Sequence, residues 1–375
     1  MPRAAVICEF NPFHNGHLFL LEKIKREYAD EIICIMSGNF VQRGELAITD
    51  KYERTKAALS HGADMVVELP TVYAVSSART FADNGVKLAH ELGCELLCFG
   101  AENSILELND ALQQMDLPKT QEKIAALIKD GCSYPRALSQ ALVAPYSDII
   151  AGPNNILAIE YIRASRQYEM IPIAIPREGV DHDSDLVSGR YASASKIREM
   201  ILNGEDYLSY TPCCVASYAA AGALVSVILY RLKTASAEEL AALPEVSEGL
   251  ENRLKEAASQ EATLRDILTA VKTKRYTMAR LKRIAVYALL GITKQMQATP
   301  VPYIRVLGIK EQSRNLISSH TLPLIVDVRR GFNSLNNSAK EIFSIDLRAA
   351  EAMNIARKTT VNEFAHGLII ASESK

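Results

Sequence analysis

The stretch Arg3–Tyr28, RAAVICEFNPFHNGHLFLLEKIKREY, constrains the fold of this chain more than any other. Ala4–Cys8 is an uninterrupted apolar run of the kind that forms a strand buried on both faces. The chain then turns through Asn11-Pro12-Phe13 and enters a helical pattern near His17. A strand that feeds a helix through a Gly-containing turn leaves the first helical N–H groups unpaired. Those donors, with the positive end of the helix dipole, favour a phosphate. His14 and His17 stand there in an H-x-G-H, and two such side chains can bind phosphate oxygens and stabilise charge on a departing pyrophosphate. Zinc ligation is a poorer reading, because no third ligand of suitable spacing lies nearby, and no metal site is assigned. Ordinary loop histidines are the other reading; the strand before, the helix after and Pro12 upstream favour nucleotide chemistry.

Alternation continues beyond this unit. A second apolar run, Glu31–Met36, leads into the polar loop 37–45. Asp50 and Glu53 form a capping-box pattern for a helix that Gly62 ends. A third strand, Ala63–Leu69, stops at Pro70; a helix over Ser76–Leu92 closes at Gly93; a fourth strand, Cys94–Phe99, ends at Gly100. Ala151-Gly-Pro-Asn-Asn155 opens a helix, and Met170–Pro176 is a fifth strand. Strands alternating with helices predict an α/β fold, a doubly wound, Rossmann-like parallel sheet. Its ligands bind beyond the carboxyl ends of the strands, where Glu9–His17 and Gly100 fall. Tyr191–Arg198 starts a further helix, with Ser193 and Ser195 as caps and Lys196 and Arg198 in its first turn. Cations are unfavourable there against the dipole unless an anion occupies the site.

Beyond Asp206 the strand signals fade and amphipathic stretches predict a mainly helical region. The expected division is therefore a nucleotide-binding domain over 1–205 and a helical domain over 206–375. The net charge of −2 hides an asymmetry within the latter. Ile267–Lys310 holds nine basic residues and no Asp or Glu, which leaves 33 basic against 44 acidic residues elsewhere. A cationic segment on an otherwise anionic chain suggests a polyanionic partner. No apolar run approaches the ~20 residues that span a bilayer, no signal peptide precedes the first strand, and seven scattered cysteines read as reduced thiols, so a cytoplasmic protein is expected. No Ser-His-Asp or Cys-His triad is apparent.

The stretches EFNPFHNGH (9–17), MSGNFVQRGE (36–45), KYERTKAALSHGADMVVELP (51–70), FGAEN (99–103), GPNNILAIEY (152–161) and KTKRYTMARLKR (272–283) resemble the bacterial tRNA(Met) cytidine acetate ligases, within the HIGH-type nucleotidyltransferase superfamily. His14–His17 resembles the first signature and Ser193–Arg198 the second, with Ala194 where Ser or Gly is usual. The resemblance implies that ATP and acetate give acetyl-adenylate and pyrophosphate, after which N4 of the wobble cytidine of elongator tRNA(Met) takes the acetyl group. It implies catalytic roles for His14, His17 and Lys196. The ATP site it implies comprises Ile7, Cys8, Glu9, Phe10, Asn11, Pro12, Phe13, His14, Asn15, Gly16, His17, Leu18, Phe19 and Leu20, with Gly100, Asn154, Arg177, Ser195 and Arg198. Mg²⁺ is expected to accompany the triphosphate, and Lys272, Lys274, Arg275, Arg280, Lys282 and Arg283 to hold tRNA. No stable protein partner is implied. A small-molecule adenylyltransferase of the same superfamily is the alternative; it has no need of the cationic segment.

Overall fold

The computed structural model describes residues 2–176, 187–317 and 320–372. Five parallel strands form its centre: β1 (Arg3–Cys8), β2 (Glu31–Ser37), β3 (Met65–Leu69), β4 (Leu96–Ala101) and β5 (Ile171–Pro176). They lie in the order β3-β2-β1-β4-β5. The crossovers carry α1 (Asn15–Glu27), α2 (Lys51–Ser60), α3 (Ala78–Glu91) and α4 (Pro153–Ser165). Side chains alternate along each strand, so both faces are covered. Ala5, Ile7, Ile33 and Ile35 join Val86, Ala89 and Ile159 in one core, while Ala4, Val6, Ile32 and Cys34 join Leu21, Ile24 and Leu59 in the other. Each of the Val, Ile and Leu side chains, fully buried, contributes about 1.5–3 kcal/mol. α3 packs so close to β1 that a Cβ on Gly85 would lie 2.7 Å from Ile7 Cδ1, which explains a glycine inside a helix.

Three further strands belong to the same sheet. β6 (Ile304–Lys310) pairs antiparallel with β3, and β7 (Leu324–Ile325) and β8 (Ile369–Ala371) pair in parallel with β6. This corrects the expected domain division, because the chain beyond 205 returns to complete the sheet instead of forming a separate helical unit. The sheet is accordingly mixed, with an antiparallel step at β3–β6. The helices of the second half include α5 (Ala194–Asn203), α6 (Val225–Thr234), α7 (Met278–Leu290) and α8 (Asn337–Arg357). Leu281, Tyr287, Ile342 and Phe343 share one continuous core with Ile33 and Val67 of the sheet.

The edge pairing is tied by charge. Arg305 on β6 lies opposite Glu68 on β3, and both are buried. Arg305 Nη1 is 2.9 Å from Glu68 Oε2, and Lys51 Nζ lies 2.8 Å from Glu68 Oε1 and 2.5 Å from Glu363 Oε1. Glu363 Oε1 also accepts from Arg305 Nη2 at 2.6 Å and from the Tyr52 hydroxyl at 3.0 Å. One residue of the cationic segment is thereby a core residue.

Candidate functional site

The order β3-β2-β1-β4-β5 reverses its winding between β1 and β4, where doubly wound sheets open a crevice for ligands. Here the ladder between the two strands consists of Ala4 against Leu96 and Ala5 against Leu97. It stops short of Cys8 and Ala101, the ends of the strands. Ile7 and Cys8 occupy the end of β1; the Cys8 thiol is buried among apolar residues, and burial and the neighbouring Cys34 raise its pKa well above the usual thiol range. Glu9 follows at the lip. Its Oε1 accepts the Gln42 N–H at 2.7 Å, and burial raises its pKa while that bond and Arg198, Arg43 and Arg54 pull it down. Phe10 adopts φ +46°, a left-handed conformation rare for a bulky residue and concentrated at functional turns. Asn11, Pro12 and Phe13 are buried, and Asn11 Oδ1 accepts from Ile48 N at 2.7 Å.

The turn delivers the two histidines onto the start of α1. His14 is the N-cap; its Nδ1 accepts from Gly16 N at 3.1 Å, while His17 Nδ1 accepts from His14 N at 3.2 Å. The imidazoles thus perform the reciprocal capping usually done by Ser and Glu. They stack with centroids 3.7 Å apart, and Phe10 meets His17 edge-on at 4.9 Å. A nitrogen that accepts a backbone N–H carries no proton, so both rings bear theirs on Nε2. The start of α1 therefore gathers two imidazole N–H donors at the positive end of its dipole, while the amides of Gly16 and His17 are taken up by His14. Asn15 Nδ2 donates to Arg190 O at 2.8 Å and Ser209 O at 3.0 Å, fixing the later chain to this turn. Leu18, Phe19 and Leu20 are half-buried against the core and hold α1 on the sheet.

Gly100 lies near the end of β4, across the crevice. Asn154 stands in the first turn of α4, and its Nδ2 donates to Glu102 Oε1. Its neighbour Asn155, absent from the predicted site, is the buried one. Asn155 Oδ1 accepts from Glu102 N at 3.1 Å, and its Nδ2 donates to Asn103 Oδ1 and Ile149 O, both at 2.8 Å, which shapes the turn after β4. Gly-Pro-Asn-Asn marks the helix start, but only helix phase decides which asparagine points inward.

The second signature is held against the first. Ser193 caps α5 by accepting Lys196 N at 3.1 Å, and its hydroxyl is 2.9 Å from that of Ser195. Lys196 pairs with Glu199 at 3.0 Å, and Arg198 Nη1 donates to Asn11 O at 2.8 Å. The cations at this helix start thus have protein partners, and Arg198 braces the turn that presents the histidines. Arg177 lies outside the described residues.

The predicted tRNA face divides in two. Arg283 is buried, with Nε and Nη2 each 2.6 Å from the Glu245 carboxylate, which also accepts the Tyr287 hydroxyl at 3.0 Å. Arg280 Nε donates to Glu245 O at 2.9 Å, and Arg275 pairs with Glu248 and donates to Ile128 O at 3.1 Å. These three arginines are engaged within the fold, and Arg283 is buried: an arginine fork meets a carboxylate or carbonyl inside the fold as readily as a phosphate outside it. Lys282 reaches Glu45 at 2.7 Å; Lys272 and Lys274 are exposed. The loop bearing Glu45 also meets α7 backbone to backbone, since a Cβ on Gly44, at φ +75°, would lie 2.6 Å from Arg283 N. One loop therefore joins the cationic helix to Glu9.

A strand-turn-helix with paired histidines at the switch point of such a sheet defines a HIGH nucleotidyl transferase, and the family model of that description matches residues 1–366. Among sequences, a tRNA(Met) cytidine acetate ligase of Acetivibrio thermocellus is 33% identical over 97% of this chain and 99% of its own length. That of Geobacillus sp. (strain WCH70) is 38% identical over 88% of this chain and 89% of its own length. The chain belongs to the tRNA(Met) cytidine acetate ligase family. Among solved structures, that of Thermotoga maritima TmcAL bound with alpha-thio ATP is similar at a TM-score of 0.87 and 26% identity, covering 99% of this chain and 100% of that one. The apo form is similar at 0.87 and 25%, covering both chains fully.

Proposed function

We propose that this chain is an ATP-dependent ligase that activates acetate as acetyl-adenylate and passes the acetyl group to N4 of the wobble cytidine of elongator tRNA(Met). The observation that carries the reading is the stacked pair of His14 and His17, with both Nδ1 atoms engaged by backbone N–H groups at the start of α1. An acetate oxygen attacks the α-phosphorus, the bond to the bridging oxygen breaks, and pyrophosphate leaves. This step needs no protein nucleophile, only positioning and donors aimed at developing charge. The histidine Nε2–H groups, backed by the α1 dipole, serve as those donors, and Lys196 is assigned to the triphosphate. In the second step N4 attacks the acyl carbon, AMP leaves, and N4 loses a proton.

Mg²⁺ belongs with the phosphates. Among the described residues no group of three or more His, Cys, Asp or Glu is placed to hold a metal, so no protein cage is assigned to the ion. No helix among the described residues is long and apolar enough to cross a membrane; a tRNA substrate favours a cytoplasmic site for the reaction. The test is incubation with labelled ATP and a panel of small carboxylic acids, with and without tRNA. Acetate-dependent ATP–pyrophosphate exchange and N4-acetylcytidine in tRNA(Met) are expected. Adenylylation of a metabolite phosphate with no response to tRNA would instead mark the small-molecule transferase.

A further inference from the structure

Arg54, on α2, is among the most deeply buried side chains of the molecule, at 1% exposure, and the reaction scheme above does not use it. Its guanidinium gathers main-chain carbonyls from the crevice floor. Nη1 donates to Glu9 O at 2.7 Å and Ser37 O at 3.0 Å, Nη2 donates to Gly38 O, and Nε donates to Thr49 O at 3.2 Å. Glu9 directly follows β1, and Ser37 ends β2. Among the described residues Arg54 forms no ion pair with any acid. A buried cation is ordinarily in direct contact with an anion, whereas Glu9 and Glu68 act on Arg54 only through space. The nearby Glu9 carboxylate bonds the Gln42 N–H instead.

The location suggests why the charge is retained. The last carbonyls of parallel strands direct partial negative charge at the crevice where doubly wound folds bind ligands. Carbonyls alone would repel a polyphosphate there. Turning Glu9 O, Ser37 O and Gly38 O onto a guanidinium satisfies them and makes the local potential less negative. We propose that Arg54 is a positioning residue whose charge under the switch point, held by main-chain carbonyls and not by a directly bonded carboxylate, makes the crevice receptive to the phosphates of the nucleotide. The inference rests on the nucleotide reading above. Burial lowers the Arg54 pKa to about 10, with Cys8, Glu9 and Glu68 opposing, so the cation persists at neutral pH.

A neutral clip and a charged one are separable by experiment. Arg54→Gln keeps two N–H donors without charge; Arg54→Lys keeps the charge without the fork. Binding of ATP and of AMP is measured by calorimetry for both variants and the native chain, beside thermal melting. Both variants are expected to melt lower. Arg54→Gln is expected to weaken ATP by about 10-fold and AMP much less, because the potential acts on each phosphate charge, whereas Arg54→Lys stays within about 3-fold for both. An unchanged ATP-to-AMP affinity ratio in Arg54→Gln, or equal ATP losses in both variants, overturns the proposal and leaves Arg54 a structural clip. Should Arg54→Gln fail to fold, Arg54→Lys decides: retained ATP affinity supports the role, and a loss beyond 10-fold in a folded protein removes it. A native chain that binds no ATP sinks the nucleotide reading itself, an outcome distinct from either.

Discussion

A histidine that caps its own helix has two duties, and they separate on substitution. His17→Ala removes one Nε2–H donor and one capping bond. The first loss is expected to slow acetate-dependent ATP–pyrophosphate exchange by about 10²–10³-fold, the usual effect of deleting one transition-state donor. The second costs about 1 kcal/mol of stability, read as a lower melting temperature, with ATP affinity changed far less. An unchanged exchange rate would remove the pair from the mechanism. Glu363 supplies a different residue-scale test. Burial alone would raise its pKa, but Lys51 and Arg305 hold the carboxyl down to about 2, from an ordinary 4.5. A depressed acid contributes stability above its unfolded pKa, and that contribution is lost as pH falls from 4.5 toward 2. Asp346, raised to about 6 by burial and then Glu68, works in the opposite sense: its contribution is complete below 3.8 and is lost as pH rises through about 6. Glu363→Gln is therefore expected to cost on the order of 2–3 kcal/mol at pH 7 and about half of that at pH 3, measured by urea unfolding at both. At this scale the sequence reveals what is consecutive. The histidines are legible because strand, turn and helix adjoin; Arg54 is not, because its acceptors come from Glu9, Ser37, Gly38 and Thr49, which only the folded sheet gathers.

Elements carry a second kind of information, the direction in which each side chain points, and in the cationic segment that direction divides the residues. An acid-free run over Ile267–Lys310 looks like a surface for phosphate, yet its acids are supplied from elsewhere: Glu245 for Arg283, Glu248 for Arg275, Glu45 for Lys282 and Glu68 for Arg305. Local charge counting cannot see partners brought by another loop. The two groups should behave differently when removed. Lys272→Ala with Lys274→Ala is expected to weaken tRNA binding across sequences and reduce the slope of log K against log salt by about two units, with the melting temperature unmoved. Arg283→Ala leaves the Glu245 carboxylate without its bidentate partner and should cost on the order of 3 kcal/mol of stability. Filter binding against salt and thermal melting of both variants check this. Native tRNA affinity in the double-lysine variant would mean those lysines only solvate the surface. Strands β1 to β5 and their helices are legible because the strands are apolar runs and the helices periodic ones, most of them bounded by Gly, Pro or a cap. The short β7 and β8 carry too few residues to show a period.

For the whole molecule the sheet settles how the halves depend on each other. The stretch Ile304–Lys310, interrupted by Arg305 and Gly308, gives little strand signal and none of which edge it joins, and its partner β3 lies over 230 residues earlier. Hence a boundary at 205/206 looked natural, although it cuts β3 from β6 and Lys51 and Glu68 from Arg305 and Glu363. If the halves were independent, heating would give two transitions, and residues 1–205 would fold and bind ATP alone. The shared core and the buried charges argue otherwise. Without residues 206–375, β3 becomes an open edge whose unpaired N–H and C=O groups invite association. Lys51 and Glu68 would then face solvent from a site built to exclude it, and the apolar face holding Ile33 and Val67 would lose Ile342 and Phe343 as cover. Domains that share one sheet and one core unfold together. Calorimetry of the full chain is therefore expected to show one transition, shifted upward as a unit by saturating ATP, since a ligand that binds only the folded state stabilises whatever unfolds with its site. The fragment 1–205 is expected to aggregate or stay unfolded, by circular dichroism and sedimentation. Two resolved transitions with only the lower or the upper one moved by ATP, together with a soluble fragment that binds ATP, would mean that β6 to β8 merely cover an already stable nucleotide domain.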